Sequence, residues 1–215
     1  MAQPLAVIVG AGPGIGMAAA RRFHRGGFRV AVLSRPADPL EAFRADLPSG
    51  LVLGADLALE GALAAALAQV ETWGGAPEVL VCNASAGAQG PAAEVDPVRL
   101  MADFRVSVGS ALEACRWALP AMRRAGRGTL LFTGGGLALA PKPGLASACL
   151  GKAALRSLAL SLAGELAPEG IHAATVTVRG FVQPGTSLSP DLVAETFWEL
   201  HLQKMDLWQA ERNLP

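Results

Sequence analysis

Short apolar runs alternate with longer alanine- and leucine-rich stretches along almost the whole chain, and this alternation limits the possible folds most strongly. The apolar runs have the length of buried strands, and they are Leu5–Gly10, Phe28–Leu33, Leu51–Gly54, Val79–Cys82, Thr129–Thr133 and Ile171–Val178. The stretches between them predict helices over residues 14–26, 39–47, 58–73, 97–125, 143–167 and 190–205. Fully apolar strands separated by helices are typical of a parallel sheet that is covered on both faces. The sequence therefore predicts a Rossmann-like, doubly wound α/β fold, with a C-terminal tail that could add an edge strand. No linker or repeat interrupts the pattern, so we expect a single domain over residues 1–215.

Composition and charge exclude several classes of protein. Apolar residues make up 52% of the chain, which is enough burial to offset the entropy of ordering, so intrinsic disorder is excluded. The 18 basic and 18 acidic residues cancel, and no basic run offers a surface to nucleic acid. Glycines interrupt the apolar N-terminus too often for a membrane span, and the 3 cysteines are scattered without metal-ligand spacing. We therefore expect a cytoplasmic protein that binds no nucleic acid, no membrane and no metal.

The loop after the first apolar run is rich in glycine. It has the spacing GxxxGxG, with Gly10, Gly14 and Gly16 at the glycine positions, and the general dinucleotide pattern GxGxxG fails because residue 15 is isoleucine. Glycines at such a turn allow the backbone to approach a pyrophosphate, whose charge is met by the N-terminus of the following helix. The loop therefore predicts a dinucleotide site that includes Ile15.

This glycine loop resembles that of the short-chain dehydrogenase/reductase family, and the resemblance continues along nearly the whole chain. Four further segments match in order: Asp56-Leu57, Asn83-Ala84 within Val81–Ser85, Lys152 at the start of Lys-Ala-Ala-Leu, and Gly180 with Val182 after the sixth apolar run. The resemblance implies that these residues surround a nicotinamide dinucleotide. It also implies an oxidoreductase that acts on a carbonyl or alcohol.

The end of the second strand usually selects between the two nicotinamide cofactors. An acidic residue there favours a ribose diol, whereas an arginine favours a 2′-phosphate. Here the strand ends in Ser34-Arg35, and Asp38 follows only after Pro36, so we expect no carboxylate at this position. The sequence therefore predicts NADP(H) in preference to NAD(H).

The catalytic positions implied by the resemblance are mostly changed. The family's tyrosine, four residues before the lysine, falls at Ala148, and the chain contains no tyrosine. The family's serine falls at Gly135 and its asparagine at Ser107, which leaves Lys152 as the retained group. Cys149 is a candidate replacement proton donor, because a thiol near an ammonium has a lowered pKa, although a small core thiol is the more common role of such a residue. Lys152 itself could transfer protons if it is desolvated, and Ser107 is a weaker candidate.

Two functions therefore remain open at this stage. One is an NADP(H)-dependent oxidoreductase with a non-standard active site, and the other is a non-catalytic dinucleotide-binding sensor or partner subunit. The helix predicted over residues 143–167 carries only Lys152, Arg156 and Glu165 as charged residues, so we also expect it to be buried in a homodimer or homotetramer. The substrate is not defined by the sequence.

Overall fold

A parallel sheet of seven strands forms the centre of the computed structural model, which describes residues 3–215. The strands are β1 (Leu5–Val9), β2 (Arg29–Ser34), β3 (Leu51–Gly54), β4 (Val79–Cys82), β5 (Gly128–Thr133), β6 (Ile171–Val178) and β7 (Glu211–Leu214). Their spatial order is β3-β2-β1-β4-β5-β6-β7, and every neighbouring pair is parallel. The predicted doubly wound α/β fold is confirmed, and the C-terminal tail supplies the edge strand.

Seven α-helices within the described part of the chain cover the two faces of this sheet. They are α1 (Ile15–Arg25), α2 (Leu40–Asp46), α3 (Ala62–Gly74), α4 (Pro97–Phe104), α5 (Ser110–Ala125), α6 (Ala146–Leu166) and α7 (Pro190–His201). Alternate strand residues face opposite sides, so Val7 and Val9 pack under α3, α5 and α6, whereas Ala6 and Ile8 pack under α1, α2 and α7. Two apolar cores therefore hold the sheet between two layers of helices.

The helix predicted over residues 97–125 is not uniform. A π-helical turn over Arg105–Gly109 separates α4 from α5 and contains Ser107. The hydroxyl of Ser110, the first residue of α5, donates back to the Val106 carbonyl oxygen of this turn at 2.6 Å. A π-turn inside a helix changes which side chains face inward, and such turns are frequent at functional sites.

The order of the strands determines where a ligand can bind. Strand β1 is followed by a connection to β2 on one side, whereas β4 lies on its other side, so the strand order reverses between β1 and β4. Ligands in open α/β sheets bind at the carboxyl ends of the strands beside such a reversal. Over residues 3–215, no helix is both long enough and apolar enough to cross a membrane.

Candidate active site

A cleft of about 570 Å³ opens at the carboxyl ends of β1, β2 and β4. Most of the residues that the sequence predicts for a cofactor site line this cleft. They are Gly10, Gly14, Ile15, Gly16, Ser34, Arg35, Asp56, Leu57, Asn83, Ala84 and Lys152. The other residues that line it, outside the predicted cofactor set, are Gly12, Leu33, Asp38, Ala55, Ser85, Ala86, Gly87, Arg99, Val106 and Thr133. The fold therefore brings the loops after β1, β2, β3 and β4 together with the end of β5 and with Lys152 of α6.

The glycine loop after β1 lies directly against the loop after β4. Gly10 has φ +86°, and a Cβ atom built there would lie 2.4 Å from the backbone nitrogen of Ala84. A Cβ on Gly16 would lie 2.6 Å from the Cα of Ala11, so this position also admits no side chain. At Gly12 and Gly14, in contrast, no atom lies within 4 Å of an added Cβ. Gly10 and Gly16 therefore allow close packing within the loop. Gly12 and Gly14 leave space at the N-terminus of α1, where backbone N–H groups attract a phosphate.

A chain of hydrogen bonds fixes the polar groups at the centre of the cleft. The Asn83 side-chain amide donates to the Gly10 carbonyl oxygen at 2.6 Å, and the Thr133 hydroxyl donates to the Asn83 side-chain oxygen at 2.7 Å. Lys152 Nζ then donates to the Thr133 carbonyl oxygen at 2.8 Å. The loops after β1, β4 and β5 are thereby joined to α6, so the lysine has a defined position.

Burial changes the acidity of Lys152. Desolvation lowers the pKa of its ammonium from 10.5 to about 8, because water solvates the charged form poorly at this position. Among the described residues, no carboxylate forms a hydrogen bond with Nζ to oppose the shift. Gly135 lies beside it, since an added Cβ there would be 3.5 Å from the lysine side chain. Lys152 can therefore hold or release a proton near neutral pH.

The loop after β4 packs onto α6 at Ala148, one turn before Lys152. A Cβ built on Gly87 would lie 2.7 Å from the Cβ of Ala148, so the loop backbone touches the helix. Ser107 holds this loop, because its hydroxyl accepts from the Ala86 N–H at 2.9 Å and lies 3.1 Å from the Ala86 carbonyl oxygen, to which it donates. With both partners on the backbone, Ser107 positions the loop and does not line the cleft.

Asp103 is a buried carboxylate that sequence reasoning missed. It is only 3% exposed and accepts from the Ala88 N–H at 2.7 Å, the Ser147 hydroxyl at 2.7 Å and Arg99 Nε at 3.2 Å. Burial raises the pKa of Asp103, but the hydrogen bonds from Ser147 and Ala88 and the charge of Arg99 lower it below its ordinary value overall. Asp103 precedes Ser107 by four residues, so the two side chains share a helix face and fasten the same loop.

The end of β2 differs from the sequence expectation. The carboxylate of Asp38 lies 2.6 Å from the Ser34 hydroxyl and 2.8 Å from Nη2 of Arg35, so an acidic group does occupy this part of the cleft. The turn after Pro36 folds back, with the Asp38 N–H donating to the Arg35 carbonyl oxygen at 3.0 Å. The expectation that Asp38 lies away from the strand end was wrong, because this reversal is not visible in the linear order of residues.

Three other candidates are not brought into the cleft. The Sγ atom of Cys149 is buried and accepts from the backbone N–H of Lys142 at 3.5 Å, so it faces the loop that precedes α6. Gly180 and Val182 follow β6, which is separated from β1 by β4 and β5. A Cβ on Gly180 would lie 2.8 Å from the Leu188 side chain, outside the cleft. Over residues 3–215, no group of three or more His, Cys, Asp or Glu side chains is placed to hold a metal ion.

The parallel sheet, the glycine turn after β1 and the cleft at the reversal define a dinucleotide-binding protein of the Rossmann type. The family description "short chain dehydrogenase" matches residues 4–192. The chain therefore belongs to the short-chain dehydrogenase family, whose members are oxidoreductases that use nicotinamide dinucleotides.

Individual relatives cover nearly the same range. The chain is 29% identical over 203 residues to "Oxidoreductase asL5" of Sarocladium schorii, which covers 94% of this chain and 80% of that protein. A metagenomic short-chain oxidoreductase crystallised with NADP has a TM-score of 0.87 at 28% identity, and the match covers 98% of this chain and 96% of that one. The 3-ketoacyl-(acyl-carrier-protein) reductase of Brucella melitensis, crystallised with NADH, has a TM-score of 0.88 at 25% identity, with 98% and 95% covered. The two structures contain different cofactors, so similarity alone does not assign one to this chain.

Proposed function

We propose that this chain binds NADP(H) in the cleft and acts as an oxidoreductase on a carbonyl or alcohol, with Lys152 in place of a phenol as the proton-transferring group. The observation that carries the proposal is the position of Lys152, which is fixed by Thr133 at the end of β5 and has its pKa lowered to about 8. A group with this pKa can give and take protons at physiological pH.

The residues of the cleft fit the parts of a dinucleotide. The space at Gly12 and Gly14, beside the N-terminus of α1, suits a pyrophosphate, and Arg35 with Ser34 supplies donors for a 2′-phosphate. Asp56 and Leu57 line the cleft after β3, where they suit an adenine, and Asn83 and Ala84 line it after β4. Gly180 and Val182 remain a prediction drawn from the family resemblance.

When bound, the nicotinamide supplies hydride transfer, and the chain's own residues supply position and the proton. Lys152 in its charged form can donate a proton to an oxygen that becomes an alkoxide, and in its neutral form it can accept one from an alcohol. Reduction should therefore slow as the pH rises through about 8, and oxidation should accelerate over the same range. Asn83 and Thr133 keep the lysine in place and carry no proton in this scheme.

A second function is favoured by a separate observation. The loop backbone at Gly87 packs against Ala148, which the sequence resemblance aligns with the family's tyrosine. The same resemblance aligns Gly135 and Ser107 with the family's serine and asparagine. A chain with these changes can bind the cofactor as a sensor or as a partner subunit without turnover. Cys149 is not retained as a donor in either proposal, because its thiol does not face the cleft.

Binding and turnover must be measured separately to distinguish these functions. NADPH and NADH are titrated against the protein, and NADPH consumption is then followed with a panel of carbonyl compounds. Turnover that is lost in both Lys152→Met and Lys152→Arg, while Lys152→Arg still binds NADPH, supports proton transfer by Lys152. Cys149→Ala is the control expected to retain activity. Saturable binding with no turnover across the panel favours the non-catalytic function, and loss of turnover in Cys149→Ala contradicts the assignment to Lys152.

The assembly and location remain proposals. The exposed side of α6 carries Leu150, 51% exposed, and this supports burial against a second copy in a homodimer or homotetramer. Light scattering at low concentration tests this, and a monomeric mass would contradict it. A cytoplasmic location stays a prediction from the sequence.

A further inference from the structure

Two loops at the carboxyl end of the sheet carry positive charge and no negative charge. They are residues 134–145, which join β5 to α6, and residues 179–189, which join β6 to α7. Their charged residues are Lys142 and Arg179, and neither loop contains an aspartate or a glutamate. Both side chains are exposed, and within residues 3–215 neither forms an ion pair with a carboxylate. This end of the molecule therefore has two cations whose charge no neighbouring carboxylate offsets.

Two consecutive glycines connect these loops to Lys152. A Cβ on Gly135 would lie 3.5 Å from the Lys152 side chain, and a Cβ on Gly136 would lie 3.0 Å from the Cα of Arg179. Arg179 directly follows β6, which pairs with β5. In the proposed function the dinucleotide occupies the cleft on one side of Lys152, and the substrate carbonyl must be within reach of the lysine. The rest of the substrate then extends over the two loops.

The same surface contains an uncovered aromatic ring. Phe181 is 86% exposed, and Leu188 is the buried residue of its loop, so the short connection from β6 to α7 leaves the ring in solvent. Large apolar side chains exposed in this way mark binding surfaces. The ammonium of Lys142 lies 6.0 Å from the centre of the ring. The Lys142 backbone is held in place, because its N–H donates to the Cys149 Sγ atom at 3.5 Å. The surface therefore offers an apolar contact directly beside a positive charge.

We propose that the substrate is a carbonyl compound, or the corresponding alcohol, that has an apolar body and a carboxylate. The carboxylate binds Arg179 with Lys142 nearby, and the apolar body lies on Phe181. The proposal rests on the proposed function, because it names the substrate class of the same site. A guanidinium binds a carboxylate through two parallel N–H···O bonds, and an ammonium adds the attraction of a point charge. A neutral carbonyl compound gains only the contact with Phe181, and a cationic one is repelled.

The test compares oxo acids with their methyl esters, because the members of each pair differ by one charge. Pyruvate, levulinate and 4-acetylbenzoate, each beside its methyl ester, are titrated by calorimetry into the protein with and without saturating NADP+. The oxidised cofactor has no hydride to give, so binding is measured apart from turnover. NADPH consumption with the same six compounds then measures turnover.

Four variants locate the contacts. Arg179→Gln and Lys142→Gln each remove one charge, and Phe181→Ser removes the ring. The matched control is Arg124→Gln, which removes an exposed guanidinium from the end of α5, near the amino end of β5 and on the opposite edge of the sheet. Thermal unfolding checks each fold. If Arg179→Gln does not fold, Arg179→Lys keeps the charge but loses the paired N–H groups.

In the wild type, the acid of the best-fitting pair should bind about tenfold more tightly than its ester, because of the charged hydrogen bonds to the guanidinium. Arg179→Gln should remove most of this preference, and Arg179→Lys should keep part of it. Lys142→Gln should reduce the preference by about two- to threefold, since an exposed ammonium is well solvated. Phe181→Ser should weaken the binding of 4-acetylbenzoate more than that of pyruvate, which has almost no apolar body. Arg124→Gln should change each affinity by less than about twofold.

The outcomes separate this proposal from the proposed function. Acids that bind no more tightly than their esters in the wild type overturn the substrate class, and NADPH consumption with any of the esters then leaves the proposed function standing. A preference that is unchanged in Arg179→Gln, or that falls equally in Arg124→Gln, also overturns the proposed site. Acids that bind preferentially through Arg179 but consume no NADPH support the carboxylate site and overturn the proposed catalysis.

Discussion

The difference in unfolding free energy between the wild type and Lys152→Met should depend on pH in a way that reports the buried ammonium directly. The side chain of methionine fills a similar volume without a charge. Because burial lowers the pKa of Lys152 from 10.5 to about 8, the folded state bears a charging cost of about 3 kcal/mol. That cost is fully present below pH 8, where the lysine is charged in both the folded and the unfolded state. It is absent above pH 10.5, where the lysine is neutral in both.

The wild type should therefore gain up to about 3 kcal/mol of unfolding free energy relative to Lys152→Met as the pH rises from 8 to 10.5. The variant also loses the hydrogen bond to the Thr133 carbonyl oxygen, worth about 1–2 kcal/mol, but this loss applies at every pH and cancels from the comparison.

Urea unfolding followed by circular dichroism between pH 7 and pH 10.5 measures the effect. Lys204→Met is the matched control, because Lys204 is exposed, and its difference from the wild type should stay constant with pH. If the difference between Lys152→Met and the wild type also stays constant, the ammonium is well solvated. The reasoning that makes Lys152 a proton carrier would then be refuted.

Three other substitutions test separate parts of the structure. Gly10→Ala places a Cβ 2.4 Å from the Ala84 nitrogen at a φ of +86°, so it should abolish NADPH binding and lower the free energy of unfolding by at least about 2 kcal/mol. Gly12→Ala is the control, because the space around Gly12 is open, and it should be as stable as the wild type. A Gly10→Ala variant that is stable and binds NADPH would contradict the loop packing. Asp103→Asn should lower the free energy of unfolding by about 2–4 kcal/mol. It should also speed hydrogen exchange at the Ala86 and Ala88 amides, because the buried carboxylate that holds their loop loses its charge. Unchanged exchange would show that Asp103 does not hold the loop. The pKa of His201 is lowered to about 4 by burial and by the charge of His172. The free energy of unfolding should therefore fall by up to about 3 kcal/mol as the pH drops from 6.5 to 4. His201→Gln should remove most of this fall, and an identical pH dependence in the variant would contradict the role of His201.

Local sequence patterns were sufficient to predict the six buried strands and the glycine loop. The apolar runs predict six strands, because a strand covered on both faces needs continuous apolar sequence, and the spacing of Gly10, Gly14 and Gly16 reflects contacts within one turn. The resemblance to a family then supplied the order of the remaining segments, and the structure gathers most of them around the cleft.

The parts that sequence reasoning missed depend on contacts between distant segments. Asp38 reaches Arg35 through a backbone reversal after Pro36, and Asp103 is buried because its partners come from the β4 loop and from α6. The π-turn at Ser107 likewise has no clear local pattern. Cys149 fails as a candidate for a different reason: helix spacing places it near Lys152, but the thiol points into the turn at Lys142.

The most direct test of the central claim is the pH dependence of NADPH consumption with a carbonyl substrate, compared between the wild type and Lys152→Arg. The account predicts that the wild-type rate falls as the pH rises through about 8. It also predicts that Lys152→Arg still binds NADPH but consumes it much more slowly at every pH, because a guanidinium keeps its charge and does not release its proton. A wild-type rate with the same pH profile in Lys152→Arg would contradict the role of Lys152. Bound NADPH that no carbonyl consumes at any pH would contradict the catalytic proposal itself.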